Sequence, residues 1–108
     1  MTWTIDSSGT QTATIGTEHS LATPSTNATY VFKVDAKNLA NGDVLELRVY
    51  DTVLNAGPLG VVWKGTYAHV QAQPIKVSPP LAASQSTKFS LKQTAGTGRG
   101  FDWSVLRL

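Results

Sequence analysis

Residues 41–50 read Asn-Gly-Asp-Val-Leu-Glu-Leu-Arg-Val-Tyr, a turn dipeptide followed by a strict alternation of apolar and polar side chains. Asn and Gly both tolerate positive φ, so Asn41-Gly42 predicts a turn. An apolar side chain at every second position is typical of a β-strand with one face buried. The inward residues are Leu45, Leu47 and Val49, and the outward residues are Glu46, Arg48 and Tyr50.

The same alternation recurs along the chain, and turn residues divide it into about eight short pieces. One of the clearest is residues 30–35; another, Ile75 to Val77, has prolines on both flanks and is therefore predicted to be an edge strand. Residues 36–40 predict one short helical turn that places Leu39 in the core. The predicted core comprises Trp3, Ile15, Tyr30, Phe32, Val34, Leu45, Leu47, Val49, Trp63, Phe89, Leu91, Phe101, Trp103 and Val105.

Composition supports an all-β fold. The chain has fourteen Thr, nine Ser, two Glu and one Met, so residues that suit a pleated sheet are abundant, and Glu, which is common on the solvent-facing side of helices, is scarce. Its 108 residues are enough for one domain, 1–108, and leave no room for a second core. We therefore predict an antiparallel β-sandwich of two sheets, jelly-roll-like, with about eight strands. A small closed barrel is the alternative architecture.

Charge and cysteine content exclude several classes of partner. Nine basic and seven acidic side chains give a net charge of +2 without a run of like charge. Nucleic-acid binding draws on clustered Lys and Arg, so no nucleic-acid partner is expected. The sequence has no apolar run near the roughly 20 residues of a membrane span, and we expect no membrane partner. Its first residues lack the basic and apolar regions of a signal peptide, which predicts synthesis in the cytoplasm. The absence of Cys excludes disulfides and thiolate metal sites.

No catalytic motif emerges, so we predict a protein that is not an enzyme and takes no cofactor or metal. The two histidines, His19 and His69, are interpreted as polar residues of loops or strand ends. Residues 96–100, Gly-Thr-Gly-Arg-Gly, join two predicted strands, whereas phosphate loops lead into a helix. We interpret these glycines as allowing positive φ in a long hairpin.

Three features predict an interaction surface instead. Tyr50 lies beside Arg48 on an outward face, and both residue types are enriched at interface hot spots. The Pro-flanked strand Ile75 to Val77 and the C-terminal Leu106 and Leu108 place aliphatic side chains where an isolated domain would expose them. We expect these surfaces to support a homo-oligomer or contact with another protein. The candidate interface residues are Arg48, Tyr50, Ile75, Val77, Leu106 and Leu108.

Three stretches together, residues 41–50, 62–67 and 91–99, resemble in order and spacing the small, cysteine-free, all-β virion proteins of tailed bacteriophages. The resemblance runs from about Thr29 to Leu108. It implies a capsid decoration (cement) protein on the exterior of the head, often a trimer, which contacts the major capsid protein and bridges neighbouring capsomers. A role in the neck, tail or fibres, in contact with other virion proteins, is the alternative within the virion. No binding residue is carried over from the resemblance.

A function from another class is a carbohydrate-binding sandwich, because such modules share the Thr-rich and aromatic composition. The three Trp and three Tyr would then supply a flat surface for sugar stacking. Their alternation with apolar neighbours favours the core for Trp3, Trp63 and Trp103.

Overall fold

The computed structural model describes residues 2–54, 56–83 and 86–108, and in these ranges the chain forms strands and turns without a helix. The strands are β1 (Thr4–Thr12), β2 (Glu18–Ala22), β3 (Ala28–Asp35), β4 (Val44–Asp51), β5 (Gly60–Ala68), β6 (Ile75–Val77), β7 (Leu81–Ala83), β8 (Thr87–Ala95) and β9 (Gly100–Arg107). The predicted all-β fold is confirmed.

The strands form two antiparallel sheets. One sheet has five strands in the order β1-β9-β3-β6, and its fifth strand, β7, pairs with a different part of β3 from β6. The other sheet has four strands in the order β2-β8-β4-β5. Successive strands alternate between the sheets except at the β4–β5 hairpin and at β6 and β7, which share one neighbour. Counting β6 and β7 as one interrupted strand gives eight strands in jelly-roll order. The two-sheet sandwich thus replaces the closed barrel considered as the alternative.

The core lies between the sheets, where the inward positions of the alternating strands meet. Phe89 of β8 packs against two aromatic rings of β3, with ring centroids 5.8 Å from Tyr30 and 5.5 Å from Phe32. Ten of the predicted core residues are buried: Tyr30, Phe32, Val34, Leu45, Leu47, Val49, Phe89, Leu91, Phe101 and Val105. Trp63 and Trp103 are half-buried and pack against this cluster.

The prediction that Trp3 and Ile15 belong to the core is wrong, since each side chain is 41% exposed. Ile5 pairs with Leu106 but Ser7 pairs with Val105, so Asp6 is an extra residue in β1. This bulge reverses the inward–outward phase of the strand, and Ile5 faces solvent. β1 ends at Thr12, which places Ile15 in the turn that leads to β2.

The edge formed by β6 and β7 is interrupted by residues 78–80. The backbone N–H of Ser78 donates to the Phe32 carbonyl (2.8 Å), while the Ser78 hydroxyl accepts the N–H of Phe32 (2.9 Å). The Ser78 hydroxyl therefore accepts the hydrogen bond that a strand carbonyl would otherwise accept from Phe32, at the point where β6 ends. The predicted edge strand Ile75–Val77 is confirmed as β6.

Two predicted connections differ in detail. The helical turn expected before Asn41 is a simple turn at 37–38, although Leu39 is buried as predicted. The glycine-rich segment 96–99 joins β8 of the four-stranded sheet to β9 of the five-stranded sheet. It is therefore a crossover between sheets and not the long hairpin that we predicted from its glycines.

The position of Phe32 between the sheets leads to a stability prediction. We expect Phe32→Ala to lower the free energy of unfolding by about 3–5 kcal/mol, because a buried aromatic leaves a cavity. The matched control is Ile5→Ala, whose parent side chain is 60% exposed, and it should change stability by less than about 0.5 kcal/mol. Urea denaturation of both variants measures the difference. Equal midpoints would contradict the placement of these two residues.

Candidate interaction surfaces

Four of the predicted interface residues lie on the outer face of the five-stranded sheet. Ile75 and Val77 of β6 pair with the outward residues Asp35 and Lys33 of β3. Leu106 lies two strands away on β9. Leu108 follows it, and its N–H donates to the carbonyl of Thr29 at 3.0 Å. The sheet thus places on one face aliphatic residues that are about thirty positions apart in sequence, with Lys33 and Asp35 of β3 between β6 and β9.

Residues absent from the predicted interface complete this surface. Leu106 pairs with Ile5 on one side and with Val31 on the other, so three aliphatic side chains form a row across β1, β9 and β3. Trp3 closes a depression of about 280 Å³ together with Val31, Lys33 and Leu106. We call this surface the outer apolar face; it comprises Trp3, Ile5, Val31, Ile75, Val77, Leu106 and Leu108.

Polar residues border the outer apolar face at the other end of the same strands. The Thr10 hydroxyl donates to Asp102 at 2.7 Å. Lys37 lies 3.9 Å from both Asp35 and Asp102 and bridges the two carboxylates. An apolar centre beside a polar rim is the arrangement found in protein–protein interfaces.

Arg48 and Tyr50 lie on the opposite side of the sandwich. They belong to a charged face on the four-stranded sheet that comprises Glu18, Glu46, Arg48, Tyr50, Lys64 and Ser90. Arg48 donates to Glu46 at 2.8 Å and to Glu18 at 3.2 Å. Both residues point outward as predicted, yet both are half-buried and bonded within the chain. The six predicted residues therefore do not form one surface.

Glu18 is the acceptor at the centre of the charged face. The hydroxyls of Tyr50 and Ser90 each donate to the same carboxylate oxygen at 2.6 Å. Burial acts to raise the pKa of Glu18, but the hydrogen bonds from Ser90 and Tyr50 and the charges of Lys88 and Arg48 outweigh it and lower that pKa. Because its carboxylate is already occupied by protein donors, we interpret this network as structural.

A second charged cluster surrounds Asp43, which is 1% exposed. One carboxylate oxygen accepts Nε of Arg99 at 2.8 Å and the N–H of Ala40 at 3.0 Å. The other oxygen accepts the N–H of Thr97 at 3.1 Å. The N–H of Ala40 contributes most to lowering the pKa of Asp43, and the Arg99 and Thr97 donors add to it against the opposing effect of burial.

The amide of the buried Gln93 extends this cluster through the 96–99 crossover. Its oxygen accepts the N–H of Arg99 at 3.0 Å, and its nitrogen donates to the carbonyl of Thr97 at 2.7 Å. Gly96 has φ of +90°, and a Cβ at this position would collide with the Asp43 carboxylate. The Asp43 cluster therefore fixes the backbone of two connections, and we assign it a structural role.

Both histidines hold loops. His19 Nε2 accepts the N–H of Thr14 at 3.1 Å, and His69 Nδ1 accepts the N–H of Gly42 at 3.0 Å.

Within the described ranges, no group of three or more His, Asp and Glu side chains is placed to hold a metal ion. The described residues also contain no helix of the length and apolarity that a membrane crossing requires.

The sequence analysis missed a further apolar surface at the β4–β5 connection. Its side chains line a depression of about 600 Å³. The exposed aliphatic residues are Val53 (95%), Leu54 (71%), Leu59 (45%), Val61 (52%) and Val62 (51%). A signal was present in the sequence, because two adjacent valines at the start of β5 cannot both face the core.

Comparison of the chain with protein-family models, curated proteins and solved structures finds no match. The functional argument therefore depends on the surfaces described above.

The buried carboxylate of Asp43 generates a pH prediction. Its pKa in the folded state lies below the ordinary value of 3.8, so its stabilising contribution is present above that pH and is lost as the pH falls through the folded-state pKa. We expect the free energy of unfolding to decrease in that acid range, as measured by urea denaturation at successive pH values. The lowered pKa of Glu18 contributes with the same sign.

The variant Asp43→Asn tests the assignment to this residue. At neutral pH it should lose about 2–3 kcal/mol, less than a fully buried ion pair because Arg99 is 33% exposed. Its stability should depend less on acid pH than that of the parent, since the amide does not titrate. Asp102→Asn, at an exposed carboxylate, is the control. An unchanged pH profile in Asp43→Asn would show that the acid sensitivity arises elsewhere.

Proposed function

We propose that this protein is a non-enzymatic assembly protein that docks onto another protein through its outer apolar face. The observation that carries this proposal is the gathering of Ile5, Leu106 and Val31 into one row, beside a Trp3-lined depression and bordered by polar residues. Ile5 is 60% exposed, while Leu106 and Val31 are half-buried, so the row presents a partly exposed apolar surface that a partner could cover. Burying a Leu or Ile fully would contribute about 1.5–3 kcal/mol each.

The specific role that we propose is capsid decoration. The major capsid protein would be the partner, and the protein would lie on the exterior of the virion head and bridge neighbouring capsomers. Jelly-roll sandwiches are used in viral capsids, and the stretches 41–50, 62–67 and 91–99 resemble phage virion proteins. The trimer and the alternative location in the neck, tail or fibres stay predictions of that resemblance.

One observation favours carbohydrate binding as a second candidate. Trp3 is 41% exposed and lies beside a depression that also contains the charged Lys33. Aromatic side chains with an exposed face, together with a polar neighbour, suit a sugar ring. Trp63, Trp103, Tyr50 and Tyr67 are half-buried, which leaves a single well-exposed aromatic for stacking among the described residues.

Co-sedimentation with empty, expanded heads tests the proposed function. The heads are assembled from the major capsid protein of a tailed bacteriophage, and the parent protein should co-sediment with them. Ile5→Asp and Leu106→Asp should abolish binding, because each places a charge in the row of aliphatic residues. Val53→Asp, in the β4–β5 connection, is the matched control and should bind as the parent does.

A glycan array separates the two candidate functions. The parent protein should bind no glycan if the outer apolar face docks onto protein. Glycan binding that Trp3→Ala removes, together with no binding to heads, would replace the assembly role by carbohydrate recognition. Circular dichroism of each variant verifies that the fold is retained.

A further inference from the structure

The sandwich has four sheet edges, and two of them are made of short strands that discourage pairing with another strand. β6 and β7 are three residues long and are separated by residues 78–80, which include two prolines. β2 has five residues and an irregular register at Ser20 to Ala22. Short strands, prolines and bulges are the usual protection of exposed edges. β1 is longer and has one bulge, at Asp6, followed by the small and polar residues 7–12.

The fourth edge, β5, also has one bulge, at Val62, but it differs from β1 in bearing two aromatic side chains, Trp63 and Tyr67, beyond the bulge. It spans nine residues, Gly60–Ala68, is last in the order of its sheet and pairs with β4 on one side. Beyond the register shift at its start, the strand pairs regularly from Trp63 to Ala68. Lys64 is its single charged residue. Its backbone therefore offers an open row of hydrogen-bonding groups to a strand of another chain.

We propose that β5 pairs with β5 of a second copy, antiparallel, about a two-fold axis at Gly65. This axis places Trp63 opposite Tyr67 of the second copy and, by symmetry, Tyr67 opposite Trp63 of the second copy. Cross-strand aromatic pairs of this kind stabilise antiparallel sheets. The two four-stranded sheets would then form one continuous sheet of eight strands.

Charge supports this register. With the axis at Gly65, Lys64 lies opposite Thr66 of the second copy, so no like charges meet. An axis at Lys64 would place the two Lys64 side chains directly opposite one another, which is unfavourable. An axis at Thr66 would keep the charges apart but would shorten the pairing within β5, because the strand ends at Ala68.

The local structure around Gly65 also suits the axis. A Cβ at Gly65 would lie 2.8 Å from the Tyr67 hydroxyl and 3.1 Å from the Trp63 ring. The two aromatic side chains therefore close over the glycine on the inward side of β5. Both are half-buried at the edge of the sheet, so pairing would bring their rings beside those of the second copy in one layer.

Exposed aliphatic residues lie at both ends of the pairing. Val62, the bulge residue of β5, is 51% exposed and would lie near Ala68 of the second copy, whose carbonyl accepts Nε2 of its own Gln71 at 2.7 Å. Val70, two positions beyond Ala68, is 65% exposed. A two-fold axis repeats this contact at the other end, so one patch is complementary to itself. The pairing does not depend on the proposed capsid partner, because the outer apolar face belongs to the other sheet.

Sedimentation velocity over a concentration series tests the proposal. We expect a monomer–dimer equilibrium for the parent protein, in place of the trimer that the phage resemblance implies. Thr66→Lys should weaken it at least about tenfold, because two pairs of like charges then lie opposite each other. The double variant Thr66→Lys with Lys64→Glu should restore the dimer, since each new Lys then faces a Glu of the second copy.

Thr94→Lys is the matched control, because it makes the same change at an exposed position of β8, inside the sheet. It should dimerise as the parent does. Hydrogen exchange of the parent should show that protection of the β5 amides rises with protein concentration. A parent protein that stays monomeric at about 100 µM, a trimer, or a dimer unaffected by Thr66→Lys would each overturn the β5 pairing. None of these results would bear on binding to heads, which the Leu106→Asp variant tests separately.

Discussion

The buried carboxylate of Asp43 is the interaction on which the arrangement of the two sheets depends. It lies in the β3–β4 connection and accepts hydrogen bonds from the N–H of Ala40 and from Thr97 and Arg99 in the β8–β9 connection. Both connections cross from one sheet to the other, so a single side chain fixes two crossovers of the jelly-roll. A charge buried to this extent is stable only when donors surround it. The requirement explains the positive φ at Gly96, because any side chain there would displace the carboxylate.

The buried positions of a strand were predictable wherever apolar residues alternate along that strand alone, without an irregularity set by a neighbouring strand. In β3 and β4 the alternation of apolar residues is uninterrupted, and the buried residues are the expected ones. The alternation failed at β1, since the bulge at Asp6 depends on pairing with β9, about a hundred residues away in the chain. It also failed at residues 96–99, because glycine content indicates a turn but not the sheet to which the next strand belongs. The role of Asp43 was missed for the same reason, as two of its three partners, Thr97 and Arg99, are more than fifty positions distant.

For the candidate surfaces as well, the residue types could be read from single strands, whereas their grouping depends on the strand order. Ile75, Val77, Leu106 and Leu108 were recognisable as aliphatic residues in positions that an isolated domain would expose. Their meeting with Ile5 and Val31 in one face required the strand order. Arg48 and Tyr50 were placed on the correct side of β4, yet their partners Glu18 and Ser90 come from β2 and β8. An outward position in the sequence pattern therefore does not distinguish a free hot-spot residue from a member of an internal network.

The charged face of the four-stranded sheet and the outer apolar face of the five-stranded sheet have different roles: the first stabilises the fold, and the second is proposed to bind a partner. On the four-stranded sheet the charges pair within the chain, and such a surface loses little when it stays in water. On the five-stranded sheet the aliphatic row is only partly covered by the described residues, and so burial of its exposed part would favour association. If β5 joins two copies through the four-stranded sheets, the resulting dimer would carry two outer apolar faces. Binding of the first face would then make binding of the second an intramolecular event, which raises the avidity of weak contacts on a repetitive surface without any new type of contact.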